Sequence, residues 1–552
     1  MAKKILFVLA AILCCTFLSG AETLKKKVLI VMLDGLRADA VDTFKPPVLT
    51  KLMKGQWNPN YKGAWNYCCR TIPDAPSHSA PNHAAIATGV TAAKHKVTRN
   101  GTTKNGNWKE WPSWLHRLKK AQPDKKALFI HAWSESGLID PTPLVERVGK
   151  SDWGNTTVYP KLITEKECPD AIMYYINSPD GGGHGTGFYP YGDNYAQTIQ
   201  LADRYLKKML DLISARPSFA SEEWLILITA DHGGYARGHG QPGGQSDTVP
   251  LIIAGKNIVS GKLAGTPCVT DLPVTALEFM GVNTSKMNLD GKVIGNKLST
   301  EKPGKNLFDG LEAYMIFSRR PIPVNQKRLA IKCTRVGTGV ASASRRYMLY
   351  NNTLKCENLK TKEGKFAPQG MIFNGLEKLK MTNNQYFTLT FWVRLPAKQP
   401  GDSVIMGNKL QSENDKTGFY ISAARKTFSN AKGPGVVFNF KDSKGKKSFA
   451  MGTYDIDPDH WNFYAVTVTP DNALYFFQGR RDGYLYWFVE KCEGSINNGN
   501  PWYISQPAKG FNAANLDAEI DDMAVWNRNL TTDEIRKIFE AGRNGYSLDD
   551  LQ

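Results

Sequence analysis

The chain has 552 residues, with 70 Lys and Arg against 51 Asp and Glu, a formal charge of +19, 41% hydrophobic residues and nine cysteines. That length exceeds the roughly 100–200 residues of one domain, so more than one core is expected. The cysteine spacings hold no CxxC or zinc-finger pattern, no aromatic-plus-basic nucleic-acid module is recognisable, and the basic excess suits either anionic substrates or a solvated basic surface.

The first residues read as an address. Lys3 and Lys4 precede the apolar run Ile5–Phe17, and Ser19-Gly20-Ala21 supplies small residues for cleavage. The run is shorter than the roughly 20 residues a membrane span needs, so residues 1–21 are expected to be a secretory signal peptide and the protein secreted or periplasmic, with no membrane span. Without Cys14 and Cys15, Cys68, Cys69, Cys168, Cys268, Cys333, Cys356 and Cys492 remain, and one or two disulfides are expected in an oxidising compartment.

From residue 27 to 300, buried strands alternate with helical patterns. Val28–Leu33, Ala127–Ile130, Ile172–Ile176, Trp224–Ile228 and Val249–Ile253 are apolar runs of the kind a central parallel strand shows. Ile199, Ala202, Leu206, Met209 and Ile213 recur at helical spacing after a cap at Asp193 or Asn194. The expected fold is α/β, a mostly parallel sheet with helices on both faces. Residues 301–345 read as a connector. From 346 to 548 strands dominate, among them Phe387–Val393, Gly435–Phe440 and Trp461–Val468, which predicts an all-β jelly-roll sandwich.

Eight of the nine histidines lie before residue 240. Asp34 follows Val28–Leu33 directly. Asp180 and His184 follow Ile172–Ile176 on a glycine-rich loop, and Asp231-His232 follows Trp224–Ile228. All three sets stand at carboxyl ends of strands, where open α/β sheets bind ligands, and carboxylates mixed with imidazoles suit zinc or a similar divalent ion. Ser79, followed by Pro81 and the small-residue pattern Ala84–Gly89, falls at a helix N-terminus, where an anion is favoured and a hydroxyl can serve as nucleophile. His83 is expected to pack or hydrogen-bond within this segment, His78 to be a surface residue, and His116, His131 and His460 to be ordinary.

Ser79-Ala80-Pro81-Asn82-His83 resembles the Thr/Ser-x-Pro-Asn-His nucleophile motif of type I phosphodiesterases and nucleotide pyrophosphatases, members of the alkaline phosphatase superfamily. His95–Asn100 is similar to that family's His-Gly-Ile-x-x-Asn segment, and Thr270–Thr275 to its closing helix. The resemblance implies a phosphoseryl intermediate and two divalent ions, zinc by family habit. Asp34, Ser79, Asp231 and His232 would hold one ion, and Asp180, His184 and His239 the other. Asn100 would touch a phosphoryl oxygen. His239 departs from the phosphodiesterase pattern by trailing His232 by only seven residues.

In the second half, Gly364–Gly375 followed by Phe387–Val393, and the closing stretch Ile520–Thr531, resemble laminin-G or concanavalin-like domains. Tyr484, Tyr486 and Trp487 could stack on a carbohydrate ligand, although aromatic residues on a strand more often pack in a core. The implied substrate is a phosphorylated small molecule or glycan, and no nucleic acid is expected. The competing readings are a sulfatase-like or phosphonate hydrolase on the same scaffold and a non-catalytic lectin-like protein. A Cys/Ser-x-Pro-x-Arg motif is absent around Ser79, which disfavours a sulfatase.

Overall fold

The computed structural model describes residues 24–551 apart from 164–167, 190–192, 241–243, 317–321, 325–331, 337–339, 346–351, 358–361, 363–368, 380–385, 398–402, 411–412, 414–415, 425–434, 453–455 and 507–515. The expected signal peptide lies outside the described residues.

Eight strands build the first sheet: β1 (Lys25–Leu33), β2 (Lys62–Arg70), β3 (Ala127–His131), β4 (Glu146–Gly149), β5 (Ala171–Ile176), β6 (Glu222–Thr229), β7 (Thr248–Gly255) and β8 (Gly261–Lys262). Their order is β4-β3-β5-β1-β6-β7-β2-β8. Strands β4, β3, β5, β1 and β6 are mutually parallel, whereas β7 runs antiparallel to both β6 and β2. Val28–Met32 is wholly buried, as a strand covered on both faces must be. One group of helices joins Ser79–Thr88, Trp114–Ala121 and Asp271–Phe279; the other gathers around the long helix Asp193–Ser214. The central trio β5-β1-β6 delivers the three expected acidic sets to one end of the sheet.

The second unit is a sandwich of a nine-stranded and a seven-stranded sheet. The described residues among 301–345 are not simply a connector. They supply Leu311–Ile316, which pairs antiparallel with Ala518–Trp526, and three further strands, Ile322–Val324, Lys332–Val336 and Val340–Arg345. Their mixture of Lys, Arg, Gly and Pro hid a strand pattern that the ladder partners complete.

One stretch of the nine-stranded sheet is buried on both faces, and the side chains alternate between two cores. Tyr464, Val466, Leu474, Phe476 and Phe488 point into the sandwich. Phe463, Ala465, Tyr475, Phe477, Trp487 and Val489 join the core that contains the first sheet. The helix Thr532–Arg543, closed by a Thr531/Glu534 capping box, covers part of that outer face, with Phe539 against Phe463 and Trp392. The rest meets the first domain: Trp487 packs on Tyr67 at 5.5 Å between ring centroids, and Tyr475 Oη lies 2.8 Å from Cys68 Sγ. Arg70 bonds the Val489 carbonyl at 2.5 Å and the Glu490 carboxylate at 3.3 Å, and Arg536 reaches Asp42 at 2.9 Å. Of the two alternatives for Tyr486 and Trp487, stacking on sugar or packing in a core, the second holds: both are 2% exposed and serve the joint between domains.

The expected disulfides do not form among the described residues. Cys68, Cys69, Cys168, Cys268, Cys356 and Cys492 are free, and all but Cys268 are buried. Cys356 and Cys492 sit in the sandwich core, and burial pushes the Cys68 thiol up to about 12, so these are packing residues rather than reactive ones. No helix among the described residues is long and apolar enough to cross a membrane.

Since Trp487 fills the joint, Trp487→Ala should destabilise the whole protein by about 3–5 kcal/mol in urea unfolding. A loss below about 1 kcal/mol would mean that the two units do not share a core.

Candidate functional site

The candidate site begins where β1 ends. Asp34 leaves the strand and Gly35 turns the chain at φ 68°; a Cβ there would lie 2.9 Å from the Cα of Asp180, so only glycine lets the two acidic segments approach. After β5 the expected glycine loop is instead a helix, Ser178–Thr186, entered through Pro179. Asp180 and His184 stand four residues apart on it and so share a face, with His184 Nε2 3.4 Å from Asp180 Oδ2. The glycines let this helix pack tightly: a Cβ on Gly182 would come within 2.1 Å of the Thr198 hydroxyl on the neighbouring long helix.

Asp231 and His232 follow β6. His232 Nε2 lies 3.2 Å from Asp34 Oδ1, 3.4 Å from Asp231 Oδ2 and 3.1 Å from Ser79 Oγ. The structure thus brings together the four residues expected at the first ion. Asp180, His184 and His239 also converge, with His239 Nε2 3.9 Å from Asp180 Oδ1, and the His232 and His239 rings stack at 3.7 Å. His239 therefore reaches the site despite its short distance in sequence from His232.

The imidazoles are oriented by backbone. Nδ1 of His232 lies 2.7 Å from the Gly233 carbonyl, that of His184 2.9 Å from the Arg237 carbonyl, and that of His239 3.0 Å from the Ser77 carbonyl. A carbonyl only accepts, so each Nδ1 carries a proton and each ring turns its Nε2 toward the carboxylates, where it offers a lone pair when the ring is neutral. This arrangement repels itself unless a cation lies between. Accordingly Asp180 Oδ1 is buried without a hydrogen-bond partner, and Asp34 Oδ1 and Asp231 Oδ2 face only the imidazole nitrogens of His232 and His83. Orphaned acceptors from carboxylates and imidazoles, gathered within 4.8 Å in three overlapping sets, fit divalent cations.

In the absence of cations the charges shift to compensate. Burial, then the Asp34 charge, pushes Asp180 up to about 8. Burial opposes protonation of His232, but Asp231 and Asp34 overcome it and raise it to about 10. Burial and the neighbouring His232 lower His239 to about 2.

Two site residues escaped the sequence reading of ligands. His83 places Nε2 2.9 Å from Asp231 Oδ2 and Nδ1 2.8 Å from the Ser136 hydroxyl, and it shares the face of helix Ser79–Thr88 on which Ser79 sits. Its i+4 spacing from Ser79 was the signal. Tyr175, one residue before the end of β5, donates its hydroxyl to Asp34. His78 is half-buried rather than superficial, with its ring edge-on to His239 at 5.6 Å.

Asn100 is held beside Ser79. Its Oδ1 accepts the Ala80 N–H at 2.9 Å, which fixes the amide orientation and leaves Nδ2 as the group able to donate outward. The preceding segment turns at Lys96, which adopts φ 64° where the resembling family has glycine. His95 anchors it from a fully buried position, accepting the Val97 N–H on Nδ1 at 3.1 Å. His116 pairs with Asp140, His131 bonds the Trp133 carbonyl and His460 the Pro458 carbonyl, none of them in these ligand sets.

Residues 28–236 match the family described as type I phosphodiesterase / nucleotide pyrophosphatase, and residues 374–536 match the concanavalin A-like lectin/glucanases superfamily. Ectonucleotide pyrophosphatase/phosphodiesterase family member 3 of Bos taurus is 22% identical over 229 residues, 37% of this chain and 24% of that protein, so the chain spans about a quarter of that relative's length. Similar solved structures include murine ectonucleotide pyrophosphatase / phosphodiesterase 5 (14% identity, 47% of this chain and 96% of that one, TM-score 0.36). Another is a 2-O GAG sulfatase (12% identity, 50% of this chain and 76% of that one, TM-score 0.38).

If cations balance the orphaned acceptors, a chelator should lower Tm, zinc should restore it, and Asp231→Asn should remove the response; a Tm indifferent to chelator and zinc would exclude metal binding here. A second expectation concerns His95. Burial lowers its pKa from 6.5 to about 4. The unfolded chain takes up the extra proton first, so the stability from a neutral His95 is present above pH 6.5 and lost as pH falls toward 4, about 3 kcal/mol in all. His95→Asn should flatten Tm against pH in that window, and an unaltered profile would contradict this.

Proposed function

From a type I phosphodiesterase/nucleotide pyrophosphatase domain of the alkaline phosphatase superfamily, joined to a concanavalin A-like domain, we infer a metal-dependent phosphoester hydrolase, of phosphodiesterase type, working through a phosphoseryl intermediate. The observation that carries this reading is the convergence of Ser79 Oγ with His232, Asp34 and Asp231 at the start of a buried helix. Asp34, Ser79, Asp231 and His232 would hold one divalent ion, and Asp180, His184 and His239 a second, zinc being the favoured identity. Bound there, such ions would neutralise phosphoryl charge and lower the pKa of the serine hydroxyl.

The protein's own groups then have separate tasks. His83, through Asp231, and Tyr175, through Asp34, keep the carboxylates aimed inward. His232 lies as close to two carboxylates as to Ser79, so its Nε2 is a ligand position rather than a general base for the serine. Ser79 Oγ attacks phosphorus and the leaving alcohol departs from the opposite side. Water then attacks the phosphoserine, which releases the phosphomonoester and restores Ser79. Asn100 Nδ2 would donate to a non-bridging oxygen during both steps, a role supported by Oδ1 being tied to the Ala80 N–H. The substrate class is a phosphorylated small molecule or glycan. Export from the cytoplasm, expected from residues 1–21, belongs to the same proposal.

The test compares bis-p-nitrophenyl phosphate, p-nitrophenyl phosphate and p-nitrophenyl sulfate on zinc-loaded protein. Preference for the bis-ester is expected, with Ser79→Ala reducing it at least about a thousandfold while keeping the zinc-dependent gain in Tm. Preference for the sulfate, or undiminished turnover by Ser79→Ala, would overturn the reading.

A further inference from the structure

The site is closed at one end and open at the other. Side-chain exposure is 0–2% at His232 and Asp34, 14% at Asp180 and 47% at His184. In-line attack from Ser79 expels the leaving oxygen away from the serine, toward the open end marked by His184. Whatever lines that end meets the leaving group.

Two segments of the first domain frame it. Residues 184–189 and 235–238 are tied together by Phe188 N–H to the Ala236 carbonyl at 2.7 Å and by His184 Nδ1 to the Arg237 carbonyl at 2.9 Å. Residues 235–238 form a tight turn closed by Tyr235 and Gly238 in both directions, at 2.8 and 3.0 Å. Tyr189 and Tyr235 extend from this frame and pack in one cluster with Tyr484 and Tyr486, which belong to the second domain. The second domain brings them on the hairpin between strands Ala473–Gly479 and Leu485–Lys491. That hairpin is braced: Asp482 accepts the Tyr484 N–H at 3.0 Å and the Tyr486 hydroxyl at 3.3 Å, and Arg480 holds Asp457 at 3.0 Å. Tyr486 and Tyr235 are buried, whereas Tyr189 and Tyr484 stay half-buried, so the cluster has a supporting layer and an accessible layer.

We propose that Tyr189 and Tyr484, one from each domain and backed by Tyr235 and Tyr486, form the leaving-group subsite of this phosphodiesterase and bind a flat ring carried on the leaving alcohol. This rests on the phosphodiester reading above. It gives the second domain a part in substrate choice through a hairpin tip, independent of any lectin activity. The rings supply faces for stacking, and Arg237, at the same mouth, stands exposed for anionic substituents on that ring.

The experiment uses the full-length zinc-loaded protein and two diesters: methyl p-nitrophenyl phosphate, whose only ring is on the leaving group, and methyl 2,2,2-trifluoroethyl phosphate, which has none and is followed by fluorine NMR. Tyr484→Ala should raise KM for the ring ester about tenfold with kcat changed less than about twofold, and leave the ringless ester untouched. Tyr484→Phe should behave as wild type, and Tyr189→Leu, in the other domain, should repeat the selective KM effect. Melting curves identify a variant that fails to fold, and the other position then decides. Equal effects on both esters, or none on either, would overturn the subsite. If wild-type protein hydrolyses neither ester, the phosphodiester reading fails instead, and this subsite with it.

Discussion

Three carboxylates, the buried Asp34 and Asp231 and the half-buried Asp180, are gathered against the imidazoles of His184, His232 and His239. Burying a carboxylate is costly and burying several side by side more so, unless positive charge answers them. The surrounding architecture holds that unfavourable gathering in place. Adjacent strands β5, β1 and β6 give each acid a rigid base, and their residues 28–32, 172–176 and 225–228 are almost completely buried. Backbone carbonyls fix the imidazole tautomers, and Tyr175 and Gly35 N–H bind the carboxylate oxygens that face away from the imidazoles. Arg37 braces the rim, bonding the Gly234 carbonyl at 2.9 Å while paired with Asp39.

The second domain is continuous with this arrangement. From the sandwich inward, Glu490 holds Arg70, Arg70 lies 3.8 Å from Asp247, and Asp247 accepts the hydroxyl of Ser77, two residues before Ser79. On the other flank, Asp39 receives the Trp487 N–H at 3.5 Å. These two sets of polar contacts between domains lead to the segments that carry Ser79 and Asp34, and the apolar contacts extend the same core. Rigidity at the site and adhesion between domains come from one set of residues.

Much of the catalytic half was legible in the sequence because its chemistry lies at ends of apolar runs. Asp34, Asp180, His184, Asp231 and His232 could be placed from their positions just past the buried strands, and Ser79 by its helix start. His239 and Asn100 came only through family resemblance, since neither stands at a strand end. The helix Ser178–Thr186 was hidden by three consecutive glycines, whose weak helix propensity is overridden by close packing on the long helix. Strand β2 was missed because Lys62–Arg70 mixes Asn66 and two cysteines with aromatics, so no period stands out. His83 and Tyr175 had no distinguishing local pattern; their partners are distant in sequence. In the second half, strand content was evident, but strands buried on both faces look alike whether the second face meets a neighbour or not. That ambiguity left both a sugar-stacking and a core role open for Tyr486 and Trp487, while in 301–345 the mixture of Lys, Arg, Gly and Pro obscured the strands.

The alternation of Tyr475, Phe477 and Trp487 with Leu474, Phe476 and Phe488 has a bearing on how such a protein can change over time. A domain with one greasy face and one wet face can be moved by recombination from gene to gene and still dissolve. Here the face turned to the neighbour is as oily as the interior. A copy transplanted alone would expose Trp487 and its companions to water and seek any partner, including itself. Substitutions on one side of the seam therefore have to be answered on the other if the shared core is to stay closed.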